Sequence, residues 1–445
     1  MILFQTLQLS DKPRIEALLA GVDSPICDHT FANIYMWQQT YLSDWAEVAG
    51  MLIVRYRVDG QWAHMVAGQG DFSAAMEALA EDVKGRGEPL HLVSMSGPDV
   101  ERFRAWLTCS GLDESDYAIY NCRDYQDYIY SLSDLSSLVG RKYQPKRNHV
   151  NRFESRYEWR FEPLRGEHFE ECLRLECRWQ RSKGERDCSQ SHEQMAIRRA
   201  FEAYDELALL GGVLIVDGHI VAFTFGSAIN EKIFCTHIEK GDTRYEGVFP
   251  MINRCFAQLL LQRGYEQVNR EEDMGLAGLR RSKLSFYPAH LQEKMSVKAL
   301  GREQRECRAL WMEVFGDERE DVDRFLTEYS NEQNMLLHRE QGRVVAMLHI
   351  VDLTTDYGPT AYLYAIATDP KWRGRGFASE LIGRAIALAR ERGYKAVMLI
   401  PSKESLVGYY EKFGFGAPCY KLDFSNGYDL GTGTPEKDIA QVLEL

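Results

Sequence analysis

The sequence predicts an α/β fold with mixed sheets, built from one unit used three times. Helices, a hairpin, a strand, a helix and a final strand follow one another in that order over three successive stretches. Within each stretch a two-residue turn signal lies between strand-like runs: Asp59-Gly60, Asp217-Gly218 and Gln341-Gly342. No Pro-, Gly- or Ser-rich linker separates the stretches, so the connections are expected to be short and ordered. At roughly 100–200 residues per domain, 445 residues also call for several cores rather than one.

The elements follow from local chemistry. A strand is expected around residues 3–7, and Ser10 or Asp11 caps a helix ending near Leu19. A second helix surrounds residues 31–37. Strands follow at 47–56 and 61–66, then a helix over 71–84 and a strand over 89–94. The second stretch places helices near 168–181 and 191–204, and strands at 213–216, 220–227 and 232–238. A helix at 250–263 and a strand near 266–268 close it. The third places helices at 302–315 and 321–329, strands at 335–339, 344–351 and 361–368, a helix at 378–391, a strand at 396–400 and a helix at 404–413. Units are thus expected over 1–137, 138–297 and 298–445.

Composition narrows the classes. With 45% hydrophobic and 27% charged residues the chain reads as an ordinary globular protein. No apolar run approaches the roughly 18–20 residues of a membrane helix. The opening residues lack a basic stretch followed by an apolar one, so a cytoplasmic protein without a secretory leader is expected. The ten cysteines form no C-x-x-C pair, which predicts free, mostly buried thiols. The histidines form no H-E-x-x-H pattern, and no metal is expected. The net charge of −13 is unevenly spread: residues 1–137 carry 9 basic and 20 acidic side chains, residues 138–160 carry 7 and 2. DNA is therefore not an expected partner, nor is a membrane.

The strongest chemical signal joins a predicted strand to a helix: Thr368-Asp369-Pro370-Lys371-Trp372-Arg373-Gly374-Arg375-Gly376-Phe377-Ala378. Glycines here let backbone approach a ligand, and amides at a helix start form an anion site suited to a pyrophosphate. Some thirty residues on, Tyr409-Tyr410-Glu411-Lys412-Phe413-Gly414-Phe415 ends the next helix. Together these resemble the Gcn5-related N-acetyltransferase (GNAT) superfamily, through R-x-x-G-x-A and Y-x-x-x-G-F. The resemblance implies acetyl-CoA as acyl donor. Ile366, Ala367 and Thr368 would pair with the pantetheine arm, and Arg373, Gly374, Arg375, Gly376, Phe377, Ala378 and Ser379 would form the pyrophosphate loop. Tyr410 would protonate the departing thiolate. Two positions depart from the family pattern. The strand 361–366 carries no carboxylate, leaving a water chain near Tyr364 or His349 as base, or no base if the amine arrives neutral. Lys403 stands where an asparagine is common.

Blocks in the first two thirds resemble the C-terminal domain family of phosphatidylglycerol lysyltransferases: residues 31–37, 140–148 and 269–275, the last continuing through Gly278-Leu279-Arg280-Arg281-Ser282-Lys283. The resemblance implies two fused acetyltransferase-like units, giving three GNAT-fold units in all. Neither N-terminal unit holds an R-x-x-G-x-G/A loop, so CoA is expected only at the third. The charged set Arg270, Asp273, Arg280 and Lys283 marks a second candidate site or an ion-paired seam. The basic run Arg141, Lys142, Lys146, Arg147, Arg152, Arg156 and Arg160 suits RNA phosphates, or equally one solvated face of a helix or extended arm. The expected activity is acyl-CoA-dependent N-acylation of a small-molecule or peptide amine. The alternatives are aminoacyl-tRNA-dependent transfer by the N-terminal module, with tRNA as partner, and a non-catalytic CoA-binding sensor.

Overall fold

The computed structural model describes residues 1–58, 60–182, 191–416, 420–421 and 439–445. It is a mixed α/β protein with two compact units. The first comprises residues 1–106 and 122–295, the second residues 107–121 and 296–445.

In the first unit one sheet runs in the order Gln5–Thr6, Asp44–Val48, Met51–Val58, Gln61–Ala67, His91–Met95. The run expected as a single strand over 47–56 is broken by a turn at Ala49-Gly50, where both residues have positive φ (51° and 76°). Ala49 carries no turn signal, which is why the break is silent in the sequence. Gly60 has φ 78°, as a hairpin turn requires; its predicted partner Asp59 lies outside the described residues. The expected helices are present as Lys12–Leu19, Phe31–Tyr41 and Phe72–Gly85. Thr30 and Asp71 cap the latter two by accepting from Asn33 N and Ala74 N.

The second sheet of this unit runs His290–Gln292, Asp127–Ser131, Gln267–Asn269, Ile233–Gly241, His219–Ala228, Leu210–Val216, Trp159–Pro163. The strand Asp127–Ser131, N-terminal to residue 138, pairs with Gln267–Asn269. One apolar cluster also runs from Leu7, Phe31 and Met65 to Leu175, Ile197 and Phe225. The two halves therefore share a core. Residues 97–163, where pattern predicts only the basic run, form the helices Gly97–Ser110 and Gln144–Arg156 and three short strands.

Close packing inside this sheet leaves no room for a side chain at several glycines, Gly226 most severely. A Cβ at Gly226 would lie 1.7 Å from the Cys235 carbonyl oxygen on the neighbouring strand. Gly226→Ala is expected to lower stability by about 1–3 kcal/mol, because backbone must move. Urea unfolding that leaves the midpoint unchanged would contradict this.

The second unit has a sheet in the order Met335–Glu340, Arg343–Thr355, Gly358–Thr368, Ala396–Leu399, Ile439–Glu444, Tyr420–Lys421. Helices Arg302–Phe315 and Arg319–Glu328 contribute Trp311 and Phe325 to one apolar cluster. Helix Phe377–Glu391 contributes Leu381, Ile382 and Ala385 to the other. Residues 107–121 belong to this unit through hydrogen bonds. Arg308, buried beside Asp323 (2.9 Å), donates to the carbonyls of Ser115 and Tyr117, and Tyr120 Oη donates to Glu328 (2.8 Å).

Among the described residues seven cysteines lie outside any disulfide, and all of these but Cys109 are buried. Cys177 is disulfide-bonded, a correction to the expectation of free thiols throughout. Pairing depends on which Cα atoms the fold brings close, not on sequence spacing. Cys188 and Cys419 lie outside the described residues. Among the described residues no helix is long and apolar enough to cross a membrane.

Candidate functional site

The strand Gly358–Thr368 pairs antiparallel with Arg343–Thr355 along its length, with a register shift between Met347 and His349. Ala365 takes φ 50° at this bulge. On its other edge the strand pairs parallel with Ala396–Leu399 only from Thr360 to Tyr362. Beyond Tyr362 that edge has no strand partner among the described residues, so the backbone of Ile366, Ala367 and Thr368 lies on an open edge of the sheet there. Ala367 is buried, while Ile366 and Thr368 are half-buried.

The chain leaves this strand through a short 3-10 turn, Pro370–Trp372. Asp369 Oδ1 accepts from Lys371 N (2.9 Å), and Arg373 Nε donates to Thr368 O (3.2 Å). Arg375 stacks over Trp372 at 4.4 Å. Gly374 (φ 78°) and Gly376 (φ 85°) both need the left-handed region, and a Cβ at either would meet open space. Gly376 caps Phe377–Glu391, whose first helical bond is Glu380 N to Gly376 O (3.0 Å). The amides of Phe377, Ala378 and Ser379 thus lie in the first turn, where an α-helix supplies no partner and its dipole favours an anion.

Tyr410 sits in the helix Val407–Glu411, in the same cluster as Leu363, Leu381 and Leu399. Burial, aided by Tyr409, pushes its phenol up to about 12, so it stays protonated at physiological pH. Tyr409 Oη and Ser379 Oγ are 2.9 Å apart, tying this helix to the loop. His349 is fully buried against Trp311 and Phe325, and neither ring nitrogen has a hydrogen-bond partner among the described residues. Burial lowers it to about 3, too weak a base to take a proton from an amine near neutrality.

In the first unit the set Arg270, Asp273, Arg280 and Lys283 is brought together, and each member holds at least one partner, although Arg270 Nη1 is buried without one. Asp273, fully buried, accepts from Arg280 Nε (3.0 Å), Arg123 (3.1 Å), Tyr128 Oη (2.5 Å) and Gly275 N (3.0 Å). Lys283 Nζ donates to the carbonyls of Arg270, Glu271 and Glu272, and Arg270 pairs with Glu239 at 2.8 Å. These side chains fix the 269–276 loop. The basic run lies on and beside the helix Gln144–Arg156. Lys146 donates to Ser285 Oγ (2.7 Å), Arg147 holds the carbonyls of Leu138 and Gly140, and Arg152 pairs with Glu246 (2.8 Å).

Sequence reasoning missed a buried cluster beside that loop. Lys294 Nζ lies 2.8 Å from Asp127, 2.9 Å from Asp28, and 3.2 Å from both Glu272 and Cys27 Sγ. Burial works against the Lys294 charge, yet Asp127, Asp28, Cys27 and Glu272 hold its pKa well above the ordinary value. Burial pushes Asp127 up, to about 7. Cys27 and Lys294 are 267 positions apart, and no local pattern links them.

The model of the family "Phosphatidylglycerol lysyltransferase, C-terminal" matches residues 20–298, and that of an acetyltransferase (GNAT) domain matches residues 299–417. A Bacteroides thetaiotaomicron protein of unknown function is similar at 34% identity, covering 67% of this chain and 100% of its own, with a TM-score of 0.62. L-PGS from Bacillus licheniformis shows 17% identity, 64% and 91% coverage and a TM-score of 0.47. No curated protein matches. Through residues 20–298 the chain belongs to the phosphatidylglycerol lysyltransferase C-terminal family, and it joins that module to a GNAT acetyltransferase domain at 299–417.

Proposed function

We propose that the C-terminal unit is an N-acyltransferase that moves an acyl group, in the simplest case acetyl, from an acyl-CoA to a primary amine of a small molecule or peptide. The observation that carries this is the strand opening after Tyr362, followed at once by the Gly374–Gly376 turn and a helix start. The edge left without a strand partner offers backbone around residues 366–368 to an amide-containing arm, with Thr368 O already accepting from Arg373 Nε, and the helix start suits a pyrophosphate. The neutral amine attacks the thioester carbonyl carbon, and a C–N bond forms while charge gathers on the oxygen. Collapse breaks the C–S bond, and Tyr410 supplies the proton that the thiolate takes. His349 is too weak a base to serve, so the amine proton leaves to water, and water returns a proton to the Tyr410 phenolate. The order of elements also supports reading the first compact unit as two related units fused.

Binding tests this reading before turnover does. Gly376→Trp forces a bulky residue into the left-handed region and covers the amides that would hold the pyrophosphate. It should weaken CoA binding by about 100-fold, roughly 2.7 kcal/mol, and Arg373→Ala by a smaller factor. Tight calorimetric binding of CoA by folded Gly376→Trp protein would overturn the site.

A further inference from the structure

The opening between parallel strands has a counterpart in the first compact unit. Ile233–Gly241 pairs parallel with Gln267–Asn269 only from Ile233 to Cys235. Its other neighbour, His219–Ala228, slips register between Phe225 and Gly226, opposite His237. Where the C-terminal opening is lined by backbone, this one holds titratable side chains. Cys235 is fully buried, the His237 side chain has no exposure, and Glu271, two residues beyond the shorter strand, is 17% exposed. His237 Nδ1 lies 2.9 Å and Cys235 Sγ 3.8 Å from Glu271 Oε1.

We propose that Cys235 Sγ, His237 Nδ1 and the Glu271 carboxylate bind one divalent transition-metal ion of the zinc class, leaving a coordination position for water or another ligand. Four observations support this independently of the acyltransfer reading. The three donor atoms lie within 4.8 Å of one another, and a tetrahedral shell with bonds of about 2.0–2.3 Å asks for a similar spread. Sulfur, imidazole nitrogen and carboxylate oxygen form a donor set of the borderline softness that suits zinc. His237 Nε2 is 2.8 Å from Ser227 Oγ, an outer contact that holds the ring and keeps Nδ1 turned to the site. The neighbouring group of Cys27, Asp127 and Glu272 meets the same distance test but already contains a cation, the Lys294 ammonium. Among the described residues no ammonium or guanidinium hydrogen-bonds the donor atoms of Cys235, His237 and Glu271, where Asn33 Nδ2 donates to Glu271 at 3.2 Å. That contrast selects one cluster of the two. A metal with an open position polarises a carbonyl or activates water.

Cobalt(II) is the probe, because a thiolate ligand gives an intense charge-transfer band that oxygen and nitrogen ligands lack. The full chain, stripped with chelator and titrated with cobalt, should take up one ion with this band, and one equivalent of zinc should abolish it. Cys235→Ser should lose the band and His237→Asn should weaken binding at least about tenfold, whereas Cys27→Ser should keep both. Thermal unfolding of each variant without metal shows whether it is folded. Should Cys235→Ser not fold, the wild-type titration and Cys27→Ser still decide. Absence of a stoichiometric band in wild-type protein overturns the site. So does a band that survives Cys235→Ser or vanishes with Cys27→Ser, which would place the ion at the Lys294 cluster.

Discussion

Lys294→Met is expected to destabilise the first unit by about 3–5 kcal/mol, the cost of removing one partner from a buried ion cluster. The methionine keeps most of the lysine stem, so the loss reports charge rather than packing. Without the ammonium, Asp127, Asp28 and Glu272, each now within 3.2 Å of Lys294 Nζ, lose the cation they share. The sign of the pH dependence follows from protons. Asp127 already holds its proton to about pH 7 in the folded chain, against an ordinary value of 3.8. Such a group favours folding at low pH and withdraws that support as pH rises from about 4 to 7, because the unfolded chain has released its proton first. Removing the cation pushes the carboxyls up further. The deficit of Lys294→Met should therefore be largest at about pH 8 and shrink towards pH 5, where the cluster is neutralised by protonation. Urea unfolding at the two pH values checks this, and an equal deficit at both would assign the effect to packing.

Tyr410→Phe should lower kcat by about 10²–10³ and leave KM for the acyl-CoA nearly unchanged, on the acyltransfer reading above. The phenyl ring fills the same space between Leu363, Leu381 and Leu399, so the fold should persist. The effect lies in proton delivery to the leaving thiolate, which binding does not require. With the phenol pushed up to about 12, Tyr410 should impose no alkaline limb on kcat below that pH. Steady-state thioester consumption with saturating amine measures both quantities. A Tyr410→Phe enzyme with wild-type kcat would remove the tyrosine from the chemistry, while loss confined to KM would make it a binding residue.

How much the sequence discloses depends on the range of the interaction that decides each feature. Helix starts are local: Thr30, Asp71 and Ser191 each accept from an amide three residues on, and each is readable as a cap. The turns Asp217-Gly218 and Gln341-Gly342 are local too, with both residues of each at positive φ. The turn at Ala49-Gly50 follows from strand pairing instead, since its first residue has no preference for that conformation. The same division separates the sites. Residues 366–379 form a continuous stretch whose chemistry is set by neighbours in sequence, and both glycines have the predicted backbone freedom. The Lys294 cluster draws on residues 27, 28, 127, 272 and 294, and the Cys235 group on strands that meet only in the folded sheet. The charged set around Asp273 was visible as composition. Its geometry, with every charge met by a partner, was not.

The placement of residues 107–121 within the second compact unit bears on how this protein is made. These residues leave the ribosome about 180 positions ahead of the helices they bind. Arg308, Asp323 and Arg319 therefore complete their hydrogen bonds with backbone that was synthesised much earlier. A fragment starting at residue 298 would contain the whole GNAT-like signature yet lack the carbonyls of Ser115 and Tyr117, leaving Arg308 with Asp323 but without two of its acceptors. The C-terminal third of the chain is thus not a self-sufficient gene segment, and shuffling it onto another protein would require carrying residues 107–121 along.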